Sequence, residues 1–414
     1  MIEVKARLLR GSVFFAGECI ECEIIFTNVA DGRKETCSQP CNHTNSDSSN
    51  QSHELDRLAW ASAQIHCQCT VKEPRVKIWS SNSRMDRTQN QISTGSNASC
   101  TSFVPSRGEE GRCLLSTQPK ILFCDLELAP GESRTYFYSD TIPFDGVPSY
   151  KGHAVKYSYK ITVGTSRVQG QSKLLRLPIR VLVLQGLGGI EHFLNKQEKK
   201  SHNPFLEDST PKTSLLDLAV DVLTTITSRR NSYVYNIVSN RGSVGRFCLF
   251  KSAYRIGEEI VGSFDFSDSL IICLKFSAVL QSEEHIPEDL RSPSKQSVEV
   301  TYSSFTSVQE NCLHTKKTHM VLPIPFTACP EFVSDLVCLK WRLHFEFTLA
   351  SSPLPAGASP VQLTSPYTDI ATWQGPPDVD AETMTWDLPV KIIATNPLHA
   401  SSISMHRTSS TMVF

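Results

Sequence analysis

Two stretches of this chain alternate apolar and polar residues with period two. In the first, Val155, Tyr157, Tyr159, Ile161 and Val163 alternate with Lys156, Ser158, Lys160 and Thr162; in the second, Leu339, Trp341, Leu343, Phe345 and Phe347 alternate with Lys340, Arg342, His344 and Glu346. Successive side chains of a strand point to opposite faces, so each stretch predicts a half-buried antiparallel strand. Trp341 and Phe345 are expected in the core, with Lys340 and Arg342 outside it. Ala61, Ala63, Ile65, Cys67 and Cys69 fall on one face in the same manner, which makes both cysteines small core residues.

The two strands belong to a repeat of four motifs in the same order. Phe14-Phe15-Ala16-Gly17-Glu18-Cys19-Ile20-Glu21-Cys22, running into Ile24 and Phe26, matches Tyr254-Arg255-Ile256-Gly257-Glu258-Glu259-Ile260-Val261-Gly262, running into Phe264 and Phe266. Ile142-Pro143-Phe144 matches Ile324-Pro325-Phe326, the strand 155–163 matches 339–347, and Leu177-Pro178-Ile179-Arg180-Val181 matches Leu388-Pro389-Val390-Lys391-Ile392. Proline lacks the ladder donor, so its recurrence marks equivalent strand starts or edges. Turns such as Ala129-Pro130-Gly131-Glu132, with Pro and Gly placed for a type II turn, separate the strands. The fold expected is all-β, two β-sandwich lobes in tandem.

The span from Phe14 to Ile142 is much longer than its counterpart from Tyr254 to Ile324, so the first copy carries insertions. The polar stretches 31–54 and 80–102 supply them, both too poor in apolar residues to offset ordering entropy and expected as mobile loops, with a third loop at 351–382, where prolines and small residues interrupt the second copy. The lobes are expected at 1–185 and 243–396, joined by a linker over 186–242 and followed by a flexible tail over 397–414. Within the linker, Leu215, Leu216, Leu218, Ala219, Val222, Leu223 and Ile226 follow one helical face, Ser214 and Asp217 stand like a capping box, and Arg229 and Arg230 close the end. These predict an amphipathic helix near 214–228. It either packs on one of the chain's own lobes or docks a partner through Leu215, Leu218 and Val222.

Composition narrows the function. A chain of 414 residues exceeds what one core usually serves, so two domains are natural. A formal net charge of -1 offers no general attraction to nucleic acid or anionic lipid, and nucleic-acid binding is not expected. No run approaches the roughly 18 apolar residues of a membrane span. Residues 1–7 are charged and unlike a signal peptide, so the chain is expected to start in the cytosol with its fourteen cysteines reduced.

The search for reaction chemistry yields little. Gly186-Leu187-Gly188-Gly189 follows a strand, but Glu191 stands where a dinucleotide fingerprint needs Gly or Ala. Cys37, Cys41 and His43, and Cys312, His314 and His319, are zinc-type residues without a closed ligand spacing. Cys19 and Cys22 fall on opposite strand faces. Gly242-Ser243-Val244-Gly245 is too short for a nucleophile elbow, and Glu283-Glu284-His285 reads as a charged turn. The expectation is a binding protein without catalytic residues, cofactor, metal or small-molecule substrate.

Each half resembles an arrestin-like lobe in the four motifs above. Leu58-Ala59-Trp60-Ala61-Ser62-Ala63-Gln64-Ile65-His66-Cys67, Pro119-Lys120-Ile121-Leu122-Phe123-Cys124-Asp125-Leu126 and Leu339-Lys340-Trp341-Arg342-Leu343-His344-Phe345-Glu346-Phe347 are more specific, as are Asn203-Pro204-Phe205-Leu206-Glu207 and Thr385-Trp386-Asp387-Leu388-Pro389. They resemble the Rgp family, the smaller subunits of the Ric-Rgp exchange complex, over both lobes and the linker. The resemblance implies an obligate heterodimer with the large Ric subunit, acting as a guanine nucleotide exchange factor for the Golgi GTPase Rab-six. It also implies a cytosolic protein recruited peripherally to Golgi membranes for retrograde transport from endosomes. An arrestin-like cargo or receptor adaptor that binds short peptides by strand addition is the competing expectation.

Overall fold

A computed structural model describes residues 1–29, 55–72, 76, 111–144, 146–168, 170, 172–184, 215–228, 232–291, 298–352, 379–403 and 409–413. The stretches 31–54 and 80–102, expected as mobile loops, lie outside the described residues, and 351–382 is described only at its two ends.

The first half supplies β1 (Ile2–Leu8), β2 (Val13–Phe15), β3 (Cys19–Asn28), β4 (Asp56–Val71), β5 (Arg112–Ser116), β6 (Lys120–Leu128), β7 (Ser133–Thr141), β8 (Tyr150–Lys151), β9 (Val155–Ser166) and β10 (Lys173–Leu182). After helix α1 (Leu215–Ser228) come β11 (Tyr233–Ser239), β12 (Gly242–Leu249), β13 (Ala253–Arg255), β14 (Glu259–Asp265), β15 (Cys273–His285), β16 (Val300–Asn311), β17 (Lys317–Pro323), β18 (Phe332–Val333), β19 (Cys338–Ala350) and β20 (Ala381–Ile393), then helix α2 (Pro397–Ile403) and β21 (Ser409–Val413). The fold is all-β and two-lobed. The N-lobe packs sheet β21-β1-β3-β7 on sheet β2-β10-β9-β4-β5, with β6 also on β4; the C-lobe packs β11-β12-β14-β17 on β13-β20-β19-β15-β16. Inward residues of both sheets fill each core, such as Val4, Phe26, Ile65 and Ile161 in the first lobe and Phe247, Phe264, Phe276 and Phe345 in the second.

The repeated motifs meet in space, which explains their chemistry. Gly17 and Gly257 adopt φ of 86° and 84°, and a Cβ at either would run into the ring of Phe144 or Phe326. The glycine is needed for both reasons. Gly17 N–H donates to Ile142 O at 2.7 Å and Gly257 N–H to Ile324 O at 3.0 Å, so the Gly-Glu turn clasps the Ile-Pro-Phe element. Glu18 accepts from Phe15 N–H at 2.9 Å and Glu258 from Arg255 N–H at 3.1 Å, each closing its own turn.

Ladder pairing corrects the residue register of the repeat. Leu177 opposes Ile161 while Leu388 opposes Leu343, and Tyr150 opposes Tyr157 while Phe332 opposes Leu339. Tyr159 is therefore the counterpart of Trp341, two residues along from the alignment that begins at Val155 and Leu339. A shift of two keeps every side chain on its own face, so hydrophobic alternation cannot detect it. The two rings also repeat one hydrogen bond: Tyr159 Oη donates to Val147 O at 2.8 Å and Trp341 Nε1 to Cys329 O at 3.1 Å.

Trp341 and Phe345 are buried and Lys340 is exposed. Arg342 departs from expectation. It is largely covered because its guanidinium lies 3.9 Å from the Tyr302 ring centroid and bonds to Gln281 and Asp387. Two further segments lie in sheets rather than outside the lobes. Tyr233–Ser239, within the expected linker, pairs with β12, and Ser409–Val413, within the expected flexible tail, pairs with β1. Each covers the same edge of a small sheet, where unpaired backbone groups would otherwise face outward.

Candidate partner surface and inter-lobe seam

Helix α1 follows from its apolar periodicity, and its inner face packs on the C-lobe. Ala219 and Leu223 are buried in that core, with Leu216, Val220 and Ile226 packed against it. Thr227 is buried and its hydroxyl donates to Leu223 O at 2.8 Å. Leu218 and Val222 lie off this face and are half-buried. The Leu215 backbone is the first of the helix, and its side chain lies outside the described set, as do Ser214, Arg229 and Arg230.

Beside the helix is a cleft of about 180 Å³ between the exit of β10 and the β18 and β20 region of the C-lobe. Val183, Leu184 and Leu223 form its apolar side, while Glu331 and Lys391 supply charge at the other. Val333, also lining it, is 62% exposed. Such a cleft can seat an apolar side chain next to polar contacts.

Next to the cleft the lobes are bound by a polar seam. Glu284, on an inward-facing position of β15, is buried and accepts from His153 N–H at 2.7 Å and Ala154 N–H at 3.1 Å in the N-lobe. From the other side, Arg180 donates to Phe326 O at 2.5 Å and Ala328 O at 2.6 Å. Burial pushes the Arg180 guanidinium below its ordinary value, with the Cys329 thiol opposing. Tyr157 Oη lies 3.0 Å from Ser334 Oγ, and the Tyr150 and Phe332 rings meet edge-on at 5.1 Å. Burial, and then the Glu284 carboxylate, push the Tyr150 phenol up. A carboxylate and a guanidinium held this way make truncation of either costly. The sequence contained one signal for the seam: Glu284 continues the inward series Phe276, Ala278, Leu280 and Ser282. Reading Glu283-Glu284-His285 as a turn missed it, since all three lie on β15, with Glu283 and His285 paired at 3.0 Å.

The other candidate chemistry resolves as follows. Among the described residues, no group of three or more His, Cys, Asp or Glu could hold a metal ion. Cys37, Cys41, His43 and the Gly186–Gly189 turn lie outside those residues. Cys19 is exposed and Cys22 buried, on opposite faces of β3. Burial pushes the Cys22, Cys69 and Cys329 thiols up to about 12, so these groups stay protonated and weakly nucleophilic. Among the described residues no helix is long and apolar enough to cross a membrane.

Together these features define a duplicated, two-lobed β-sandwich protein whose candidate site is a surface. The chain belongs to the Rgp1 family, whose sequence model matches residues 11–185 and 188–350. It is 42% identical to RAB6A-GEF complex partner protein 2 of Homo sapiens over 417 residues, covering 100% of both chains. It is also 42% identical to the Bos taurus protein of that name over 94% of this chain and 93% of the relative.

Proposed function

We propose that this chain is the non-catalytic subunit of a heterodimeric guanine nucleotide exchange factor for the Golgi GTPase Rab-six. It pairs with a large Ric-type subunit and serves retrograde traffic from endosomes, recruited from the cytosol to Golgi membranes. The observation that carries this reading is full-length identity of 42% to relatives whose name states a place in a RAB6A exchange complex. An exchange factor needs no covalent chemistry: it binds the nucleotide-free GTPase better than the loaded one, and this differential affinity drives release. A two-lobed frame tied together by the Arg180 and Glu284 contacts suits the task of holding a partner and a GTPase together.

The test is release of a fluorescent guanine nucleotide from Rab-six. The chain alone should leave the rate unchanged, and the chain with its large partner should raise it. Strong exchange by the isolated chain, or none by the complex, would reject the assignment, and the second result would favour the peptide-adaptor reading. For the surface, Leu218→Glu with Val222→Glu should abolish co-purification of the large subunit while leaving the melting temperature of the chain unchanged, because neither residue belongs to the packed face of α1. Intact co-purification would remove the helix from the interface.

A further inference from the structure

Backbone hydrogen bonds fix which residues of the two lobes correspond around the seam. Arg180 N–H donates to Ser12 O at 2.8 Å and Lys391 N–H to Ser252 O at 3.1 Å. Ser149 N–H donates to Val181 O and Glu331 N–H to Ile392 O, both at 2.8 Å, while Gly146 N–H donates to Pro143 O at 3.4 Å and Ala328 N–H to Pro325 O at 2.9 Å. Lys391 is therefore the counterpart of Arg180, Phe332 of Tyr150, and the turn at Phe326 and Ala328 of that at Phe144 and Gly146. The counterparts Tyr150 and Phe332 meet edge-on at 5.1 Å, so the lobes face one another through the same patch, as the two halves of an isologous contact do. Full symmetry would give two cation contacts across the seam. One is made, from Arg180 to Phe326 O and Ala328 O. The other is missing: Lys391 is exposed, and among the described residues no hydrogen bond or ion pair engages its ammonium. The cleft of about 180 Å³ lies at this position, lined by Lys391 with Val333, Leu184 and Leu223.

We propose that the Lys391 cleft is the docking site for an exposed turn of the large subunit, which seats one apolar side chain in the cleft and offers main-chain carbonyls to Lys391. This inference rests on the exchange-complex reading. The chemistry of the occupant follows from size, internal precedent and charge. A volume of about 180 Å³ is below the roughly 300–1,000 Å³ of pockets that hold small molecules, and it suits the single side-chain anchor on which protein interfaces depend. Arg180 shows what this position binds in the first lobe: the carbonyls of a turn, through charge-assisted hydrogen bonds. Glu331 lines the same cleft, so a carboxylate entering it would meet a like charge, whereas neutral carbonyls would not. Val333, 62% exposed, and half-buried Leu184 supply apolar lining. Leu223 joins the cleft to α1, whose Leu218 and Val222 lie off the packed face.

The test uses the full chain co-expressed with the large subunit. Lys391→Ala should weaken the complex roughly tenfold, the loss of a charge-assisted hydrogen bond. Lys391→Glu should weaken it further, and Lys391→Arg, which restores the residue type of the first lobe, should bind like the wild type. Val333→Lys should also weaken binding; Lys151 holds the equivalent strand position, so the fold accommodates the substitution. Melting temperatures should stay unchanged, since the Lys391 ammonium makes no polar contact among the described residues. A photo-crosslinker installed at position 333 of the otherwise wild-type complex should link to the large subunit. Wild-type affinity in both Lys391→Glu and Val333→Lys, or a crosslink confined to this chain, overturns the proposal and leaves the exchange-complex reading intact. A wild-type chain that fails to bind the large subunit overturns both. Self-association of the chain that these substitutions abolish would make a second copy the occupant, which also overturns the proposal.

Discussion

The large sheets of the two lobes repeat one another strand for strand, yet their outer faces differ. In the N-lobe, Ser62, Gln64, His66 and Gln68 of β4 face away from the core and are buried, as is Thr162 beside them. None of them is Asp, Glu, Lys or Arg, and Thr162 Oγ1 lies 3.1 Å from His66 Nδ1 while Gln64 Nε2 donates to Thr117 O at 3.3 Å. The corresponding C-lobe face is an ion network: Arg342 reaches Glu283 at 3.4 Å and Asp387 at 3.0 Å, and His344 Nδ1 lies 2.6 Å from Asp387. Buried polar groups must find partners within the protein, whereas the C-lobe charges are only partly covered, with Asp387 46% exposed, and combine ion pairing with water. The comparison therefore separates a sealed N-lobe sheet from an open C-lobe sheet. Inner faces, by contrast, obey one rule in both lobes.

The sharpest test of the common rule is at the equivalent rings. Trp341→Ala should cost about 3–5 kcal/mol, since the side chain is almost fully buried and cannot be refilled by its neighbours. Tyr159→Ala should fall in the same range, as both rings are buried and both end on a backbone carbonyl. Chemical denaturation measures both. A near-zero value at either position would mean that the register of the repeat is misplaced.

Outer faces should respond unequally to one and the same charge. Gln64 and Val279 hold equivalent positions, because Ile65 opposes Ile161 in one lobe and Leu280 opposes Leu343 in the other. Gln64→Glu places a carboxylate against the Thr117 carbonyl and removes the donor that satisfied it, at a cost of about 2–3 kcal/mol. Val279→Glu adds a charge to a half-exposed position among charged neighbours, and its cost should stay within about 1 kcal/mol. Equal costs would erase the distinction between sealed and open faces.

These contrasts also mark what the sequence could convey. Period two named the inner faces, and the Gly-Glu and Ile-Pro-Phe motifs located turns that clasp one another. It could not show that Gln64, His66 and Gln68 are buried, because a polar row without Asp, Glu, Lys or Arg reads the same whether it faces water or partners. Nor could it fix the strand register, which the Tyr159 and Trp341 hydrogen bonds settle only in three dimensions. At the candidate surface, the spacing of Leu216, Ala219 and Leu223 identified the helix. Which flank of it stays uncovered depends on the C-lobe against which it packs.

The least legible element is the last strand, and it gives the smallest predicted effect. In the C-lobe the outer edge of the small sheet is β11, which immediately precedes its partner β12. In the N-lobe the same edge is β21, which pairs Val413 with Glu3 and Ser409 with Arg7 from the opposite end of the chain. Ser409-Ser410-Thr411-Met412-Val413 is short and only weakly apolar, so local pattern could not announce a pairing that depends on β1. Met412 packs against the N-lobe core, and Lys173 Nζ donates to Val413 O at 3.2 Å. A partly buried methionine contributes on the order of 1 kcal/mol, so deleting 409–414 should lower stability by about that amount without unfolding the lobe. The loss should be local. Amide exchange should accelerate along β1 and remain unchanged along β12, whose edge partner β11 is untouched. If β1 exchanges at the same rate after deletion, β21 does not protect that edge in solution. If β12 accelerates as well, the lobes share their edge stability through the seam of Arg180 and Glu284, and the contrast between a locally and a distantly supplied edge would lose its force.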